Sequence, residues 1–205
     1  MSKKNNLVVF VDVESSGLPI KRPGYHSFFD PKELNKYDSS RLIAISWCIC
    51  DFKGCQKLLR TIYIKPEGFT ITNSEIHGIT QEKANELGIS MKQMFDQLEQ
   101  DLKDVKVMVA HNLEFDYNVI MSELHRLGNK KQLMNRLANL EKACTGEQTR
   151  DLLKISFSST YNNQYKMPKL NELYMWCFKK NMENHHDPEQ DVIHLKEIFF
   201  HLLKV

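Results

Sequence analysis

From Leu7 to Val13 the chain is apolar at every position but Asp12. A run this short, rich in Val and bounded by polar residues, predicts a strand buried on both faces. Leu42–Asp51 and Leu58–Ile64 repeat the pattern, and the short gap between them, with Gly54 in the turn, predicts an antiparallel hairpin. The period then changes. Met94, Phe95, Leu98 and Leu102 recur at three or four residues, and Ser90 with Gln93 has capping-box spacing, which predicts a helix. Val105–Ala110 reads as a strand, followed by a helix with Ile120, Leu124 and Leu127 on one face and Gly128 as its stop. Leu133, Leu137 and Leu140 mark another amphipathic helix, Ala143–Thr145 a short strand, 156–166 a polar loop and Leu170–Phe178 a helix. A last helix opens with Asp187 as cap, Pro188 as first helical residue and Gln190 three beyond the cap. Val192, Leu195, Phe199 and Leu202 form its core face. The order is βββαβα, then helices with one more strand: an α/β chain.

Several acids interrupt this pattern. Asp12 and Glu14 stand two apart on a strand and so share a face. Two like charges at the edge of a dry core repel and lose hydration, a cost that a divalent cation removes. Taken alone, they read equally well as solvated turn acids. Asp116 lies on the apolar stripe of its helix, one turn before Ile120, and helical side chains lean toward the N-terminus, back to the preceding strand end. Asp191 occupies the first turn of the last helix, and His186 precedes its cap. Segment 18–41 interleaves Lys21, Arg22, Lys32 and Lys36 with Tyr25, His26, Phe28, Phe29 and Tyr37. It is long for a loop. Two readings stay open for it: a surface for single-stranded nucleic acid, where phosphates meet cations and bases meet flat rings, or a flap folded on its own aromatic cluster.

The 205 residues fit a single domain, 1–205, with an insertion-like loop at 18–41, and a formal net charge of +2 identifies no partner. Five cysteines, an odd number without a CxxC, argue against a disulfide framework and for a reducing compartment. Cys48 and Cys50 share a strand face but lack a second pair to complete a zinc site, so they read as small buried residues. No apolar run is long enough to span a membrane, and the N-terminus lacks a signal peptide. The expectation is an intracellular, cytoplasmic protein with no membrane partner.

Four acids, Asp12, Glu14, Asp116 and Asp191, are thus expected at the ends of buried elements. Hard cations such as Mg²⁺ take oxygen ligands, and a carboxylate set of this size can hold two ions about 4 Å apart, an arrangement that activates water and stabilises the leaving oxygen of a phosphodiester. His186 has a ring suited to proton transfer near neutrality.

The motifs around these residues resemble those of the DEDDh 3′–5′ exonucleases. DVESSG (12–17) resembles their D-x-E-[ST]-[ST]-G motif, HNLEFD (111–116) their H-N-x-x-F-D, and HDPEQD (186–191) their H-x4-D, while IHGIT (76–80) matches a further stretch of the family. The chain is especially similar to the exonuclease domain of the proofreading (epsilon) subunit of bacterial DNA polymerase III. The resemblance implies a ribonuclease H-like fold, a mixed five-stranded sheet with helices on both faces. It implies that Asp12, Glu14, Asp116 and Asp191 hold two Mg²⁺ or Mn²⁺ ions and that His186, rather than its neighbour His185, is the general base. It places Ser15, Ser16, Gly17, Leu18, His77, Gly78, Asn112 and Phe115 around the terminal nucleotide. The implied reaction is hydrolysis of single-stranded DNA or frayed 3′ ends to nucleoside monophosphates, with a polymerase or replication protein as a possible partner. RNA is the alternative substrate, and a non-catalytic nucleic-acid-binding subunit the alternative of another class. Segment 18–41 is longer than its counterpart in the proofreading subunit, and Pro188 stands where the family has a small residue.

Overall fold

The computed structural model describes residues 6–23, 27–157, 165–183 and 187–204. Five strands, β1 (Leu7–Ser15), β2 (Leu42–Asp51), β3 (Gln56–Tyr63), β4 (Val105–Ala110) and β5 (Glu141–Cys144), form one sheet in the order β3-β2-β1-β4-β5. β1 is the middle strand. It pairs antiparallel with β2, Asp12 opposite Ser46, and parallel with β4, Phe10 opposite Val109. β2 and β3 make the antiparallel hairpin, and β5 runs parallel to β4. Central position accounts for the aliphatic run, since Val8, Val9 and Phe10 are wholly buried.

Eight α-helices accompany the sheet among the described residues: α1 (Ser74–His77), α2 (Gln81–Leu87), α3 (Met91–Asp101), α4 (Leu113–Leu127), α5 (Lys131–Asn139), α6 (Thr145–Leu153), α7 (Leu170–Phe178) and α8 (Pro188–Leu202). The alternation along β1 sorts its side chains between two layers. Val9, Val11 and Val13 pack with Trp47 and with Phe95, Val119, Ile120, Leu124, Leu133 and Leu137 of α3, α4 and α5. Val8 and Phe10 face the other way, with Cys48, Cys50 and Val192, Leu195 and Phe199 of α8. The rings of Phe10 and Phe199 meet edge-on at 5.3 Å, a contact worth about 0.5–1.5 kcal/mol beyond its buried area. It fixes α8 to the strand that carries Asp12.

The helix boundaries follow their capping residues. Ser90 and Gln93 form the reciprocal capping box of α3, and Gly128 ends α4 in the left-handed region at φ 71°. The Asp187 carboxylate accepts from Glu189 N and Gln190 N at 3.0 and 3.1 Å, with Pro188 as the first residue of α8.

Some boundaries differ from the sequence reading. β1 continues to Ser15, so Asp12 and Glu14 lie within the strand rather than at its exit. α5 stops at Asn139, leaving Leu140 as its cap, and the fifth strand starts at Glu141 rather than Ala143. Thr145 is not part of that strand but opens α6, whose buried residues are Thr145, Gly146 and Thr149. A helix buried on a polar face leaves no apolar period to read.

The described parts of segment 18–41 lie on the body. Tyr37 is fully buried, its hydroxyl donates to Phe29 O at 2.5 Å, and Phe28 N donates to the Glu114 carboxylate at 3.0 Å. Phe28 also meets Phe115, centroids 6.1 Å apart. Phe28 and Tyr37 thus serve packing; Tyr25 and His26 lie outside the described residues. The five cysteines are free, with Cys48 and Cys50 Sγ atoms 3.7 Å apart in the core. No helix among the described residues is long and apolar enough to cross a membrane.

Candidate active site

Asp12 and Glu14 have the same parity on β1 as Phe10, so they point to the layer that α8 covers. Asp191, in the first turn of α8, meets them there. One carboxylate oxygen from each of Asp12, Glu14 and Asp191 lies within 4.8 Å of the other two. Asp116 belongs to α4 on the opposite face and is not part of this tight group. Its Oδ1 accepts the Val13 N–H at 3.1 Å, across the strand from the three. Its charge still reaches them, being the main electrostatic influence on Asp12.

The cluster is electrostatically unfavourable as it stands. Burial, followed by the charges of Asp116, Glu14 and Asp191, holds Asp12 well above the usual carboxylate range. Glu14 is pushed up to about 8, first by burial, then by Asp191 and Asp187. Asp116 is raised by burial, against hydrogen bonds from the Val13 and Asp116 N–H groups that favour its charged form. Oxygen-only donors, half-buried together and repelling one another, fit a hard divalent cation such as Mg²⁺ or Mn²⁺. A hydroxyl relay steadies the α8 side of the cluster. Ser46, opposite Asp12, hydrogen-bonds Thr61 at 2.9 Å, and Thr61 Oγ1 donates to Glu189 at 3.1 Å, two residues before Asp191.

Beside the acids opens a cleft of about 320 Å³. Of the residues singled out from sequence, Ser15, Gly17, Leu18, His77 and Phe115 line it, together with Val13 and Glu14. Ser16 is buried beneath, at 5% exposure. Gly78 and Asn112 are not in its wall; both take left-handed backbone, Gly78 at the end of α1 and Asn112 at the start of α4. The His77 ring accepts the Ile79 N–H on Nδ1 at 3.1 Å, which leaves Nε2 as the donor to Thr72 O at 3.2 Å. His111 is tied to Thr145 Oγ1 and Pro168 O at 2.9 and 2.8 Å, closing the end of β4 rather than entering the cleft. His185 and His186 lie outside the described residues.

Three lining residues escape the sequence reading, Val13, Asn73 and Ile76. Asn73 Nδ2 donates to Ser16 O at 3.2 Å from a left-handed backbone, φ 60°. Ile76 is 57% exposed. An apolar residue heading the polar IHGIT stretch is the signal that could have found it.

A family model described as exonuclease (RNase_T) matches residues 9–199. No curated protein matches the chain significantly. Among solved structures, product-bound exonuclease I is similar with a TM-score of 0.69 at 13% identity, over 98% of this chain and 44% of that one. E. coli exonuclease I in complex with a dA16 oligonucleotide gives 0.69 at 14% identity, covering 97% and 41%. The zinc-bound E. coli exonuclease I complex with single-stranded DNA gives 0.71 at 15%, covering 97% and 40%. The chain therefore spans about two-fifths of the length of these structures, and at such identity the likeness is one of fold, the mixed five-stranded ribonuclease H-like sheet with its helices. The family model takes in the acids of β1, α4 and α8 alike, and by that match the chain belongs to the RNase_T exonuclease family.

Proposed function

We propose that this exonuclease is of the DEDDh type and hydrolyses single-stranded DNA from the 3′ end to nucleoside monophosphates. The observation that carries the reading is the meeting of Asp12, Glu14 and Asp191 oxygens within 4.8 Å, with Asp116 alongside, at the mouth of a cleft sized for a nucleotide. Exonucleases of this family use divalent metal ions. Asp12, Glu14 and Asp191 would hold one ion, and Asp116 would help to hold a second. When bound, such cations act as Lewis acids toward water and the leaving oxygen of a phosphodiester.

The chain's own residues supply the rest. The cleft takes the terminal nucleotide: exposed Leu18 and Ile76 offer apolar surface to a base, and Phe115 an aromatic one. The backbone of Ser15 to Leu18 cradles the 3′ end. His186 accepts the proton of the attacking water, a role open to an imidazole ring. DNA is favoured because E. coli exonuclease I, whose fold is shared, is described in complex with a dA16 oligonucleotide.

A 5′-labelled oligonucleotide tests the proposal. It should shorten from its 3′ end with Mg²⁺ or Mn²⁺ and stay intact in chelator, while Asp12→Ala should abolish cleavage and Mn²⁺ binding together. Binding without cleavage by the parent protein would make it a non-catalytic subunit, and near-parental turnover in Asp12→Ala would remove the metal assignment. Matched DNA and RNA strands measured side by side decide the substrate; faster cleavage of RNA would overturn the DNA reading.

A further inference from the structure

We infer that Glu123 is a positioning residue: through Arg41 it sets the distance between the carboxylates and the cradle for the terminal nucleotide. The inference rests on the nuclease reading above. Glu123 lies on α4 seven residues after Asp116, two turns along the same side of the helix. It is 2% exposed and takes no part in the carboxylate cluster. Both its oxygens are engaged. Arg41 Nε donates to Oε1 at 2.5 Å and Arg41 Nη2 to Oε2 at 3.1 Å, while Leu42 N approaches Oε1 at 3.4 Å. The guanidinium also lies 4.4 Å from the Phe69 ring centroid, so its plane has little freedom.

The backbone of Arg41 carries this constraint to the cleft. Arg41 O accepts the Ser16 N–H at 2.9 Å and Arg41 N donates to Ser16 Oγ at 3.0 Å. Ser16 O is gripped from the other side by Thr72 Oγ1 at 2.6 Å and Asn73 Nδ2 at 3.2 Å. One turn of α4 beyond Glu123, Arg126 Nη2 holds Leu34 O at 2.8 Å and the Asp38 carboxylate at 2.6 Å, so the same helix grips the strap 34–41 at both ends. α4 therefore works as a ruler. Its first turn touches Val13 N–H beside Glu14, and roughly 10 Å further along, at ~1.5 Å per residue, it holds the residue that carries Ser16. A buried ion pair adds little net stability over apolar side chains of like volume, so stability alone does not account for this one.

The test uses the full chain with Glu123→Gln and the double variant Glu123→Leu/Arg41→Met. The double variant removes both charges of the Arg41–Glu123 pair, and Arg126, whose Nε lies 3.9 Å from Glu123, keeps its pair with Asp38, so the variant should melt cooperatively near the parent temperature. Three quantities are read: Mn²⁺ binding by paramagnetic resonance, affinity for a 5′-labelled dT oligonucleotide in chelator by anisotropy, and kcat and KM with Mn²⁺. The expected result is unchanged Mn²⁺ binding, with Kd and KM raised about tenfold or more in the double variant, the size expected of a sub-ångström displacement. Glu123→Gln, which keeps the shape and part of the hydrogen bonding, should lie between it and the parent. Parental Kd and KM in the double variant, beside an active parent, would overturn the inference and leave the nuclease reading standing. A parent that neither binds nor cleaves the oligonucleotide would overturn both. Were the double variant to unfold, Glu123→Gln decides alone: parental Kd and KM sink the inference, and raised values with unchanged Mn²⁺ binding support it.

Discussion

Cation binding at neutral pH should expel protons from this site, and their number can be counted. Glu14 is pushed up to about 8, chiefly by burial and then by the charges of Asp191 and Asp187. At pH 7 roughly nine in ten Glu14 side chains then carry a proton, by simple one-site titration. A carboxylate ligand must be deprotonated to hold a metal. Addition of Mn²⁺ at pH 7 should therefore release about one proton from Glu14. Asp12 and Asp116, both raised mainly by burial, add to that number. Calorimetry in two buffers of different ionisation enthalpy gives the count. The count should fall at pH 9, where Glu14 is already ionised, and Glu14→Gln should lower it at pH 7. Metal binding with no proton release at pH 7 would show that the carboxylates are not crowded as the structure has them.

The same displacement fixes the sign of the stability profile. An acid whose pKa is higher folded than unfolded binds its proton more tightly in the native state. Its destabilising effect is absent below the unfolded value, 4.5 for Glu14, and grows as pH rises to about 8. Each pH unit well inside that window costs about 1.4 kcal/mol, so from pH 6.5 to 8 the metal-free protein should lose roughly 1.5 kcal/mol through Glu14 alone. For a chain of this size that is a fall of about 3–6 °C in melting temperature. The window starts at pH 6.5 because His111, lowered by burial, acts in the opposite sense below its ordinary 6.5. Asp51 and Asp96, lowered by their lysine partners, lose their contribution only at more acidic pH. Saturating Mn²⁺ or Glu14→Gln should flatten the decline; a melting temperature that rises from pH 6.5 to 8 in the metal-free parent would refute the linkage.

Two substitutions probe the cleft and the proposed proton acceptor. A Cβ on Gly17 would stand 2.7 Å from Ser39 O, so Gly17→Ala must shift the cradle; steady-state kinetics should show a raised KM, with Mn²⁺ affinity unchanged. His186→Ala should slow single-turnover cleavage about a hundredfold or more, the usual loss for a general base, without weakening Mn²⁺ binding. If His185→Ala gives that loss instead, the roles of the two histidines are exchanged.

What the sequence reveals depends on how local the physics is. β1, β2 and β4 are legible because strands buried on both faces are mostly apolar, with isolated interruptions such as Asp12 in β1, Ser46 in β2 and Lys106 in β4. α8 is legible because Asp187, Pro188 and the stripe of Val192, Leu195 and Phe199 agree with one another. α1 and α2 span four and seven residues, too short for a period to show. Asp12 and Glu14 follow from strand alternation, and Asp116 from being polar on an apolar stripe. The grouping of three acids with the fourth set apart does not follow, because nothing local says which helix covers which face of β1. Arg41 and Glu123 stand 82 residues apart, and no sequence period joins them.

The position of the acids follows from the burial of β1. Val9 and Phe10 fill both of its faces in mid-strand, so acids from α4 on one side and α8 on the other can approach one another only near its C-terminal end. There β1 is still paired antiparallel with β2, while its parallel pairing with β4 has ended at Phe10, and the chain leaves the carboxyl ends of β1 and β4 in separate loops, where open α/β sheets place their ligands. Asp116 reaches that end through the Val13 N–H, a backbone group next to Asp12 and Glu14, so its placement does not depend on any side chain of the cluster. Asp191 instead depends on how α8 packs, through Phe199 on Phe10 and Glu189 on Thr61. The two arms of the site are therefore held by separate contacts on opposite faces of one strand, and loosening α8 should displace Asp191 while leaving Asp116 in place.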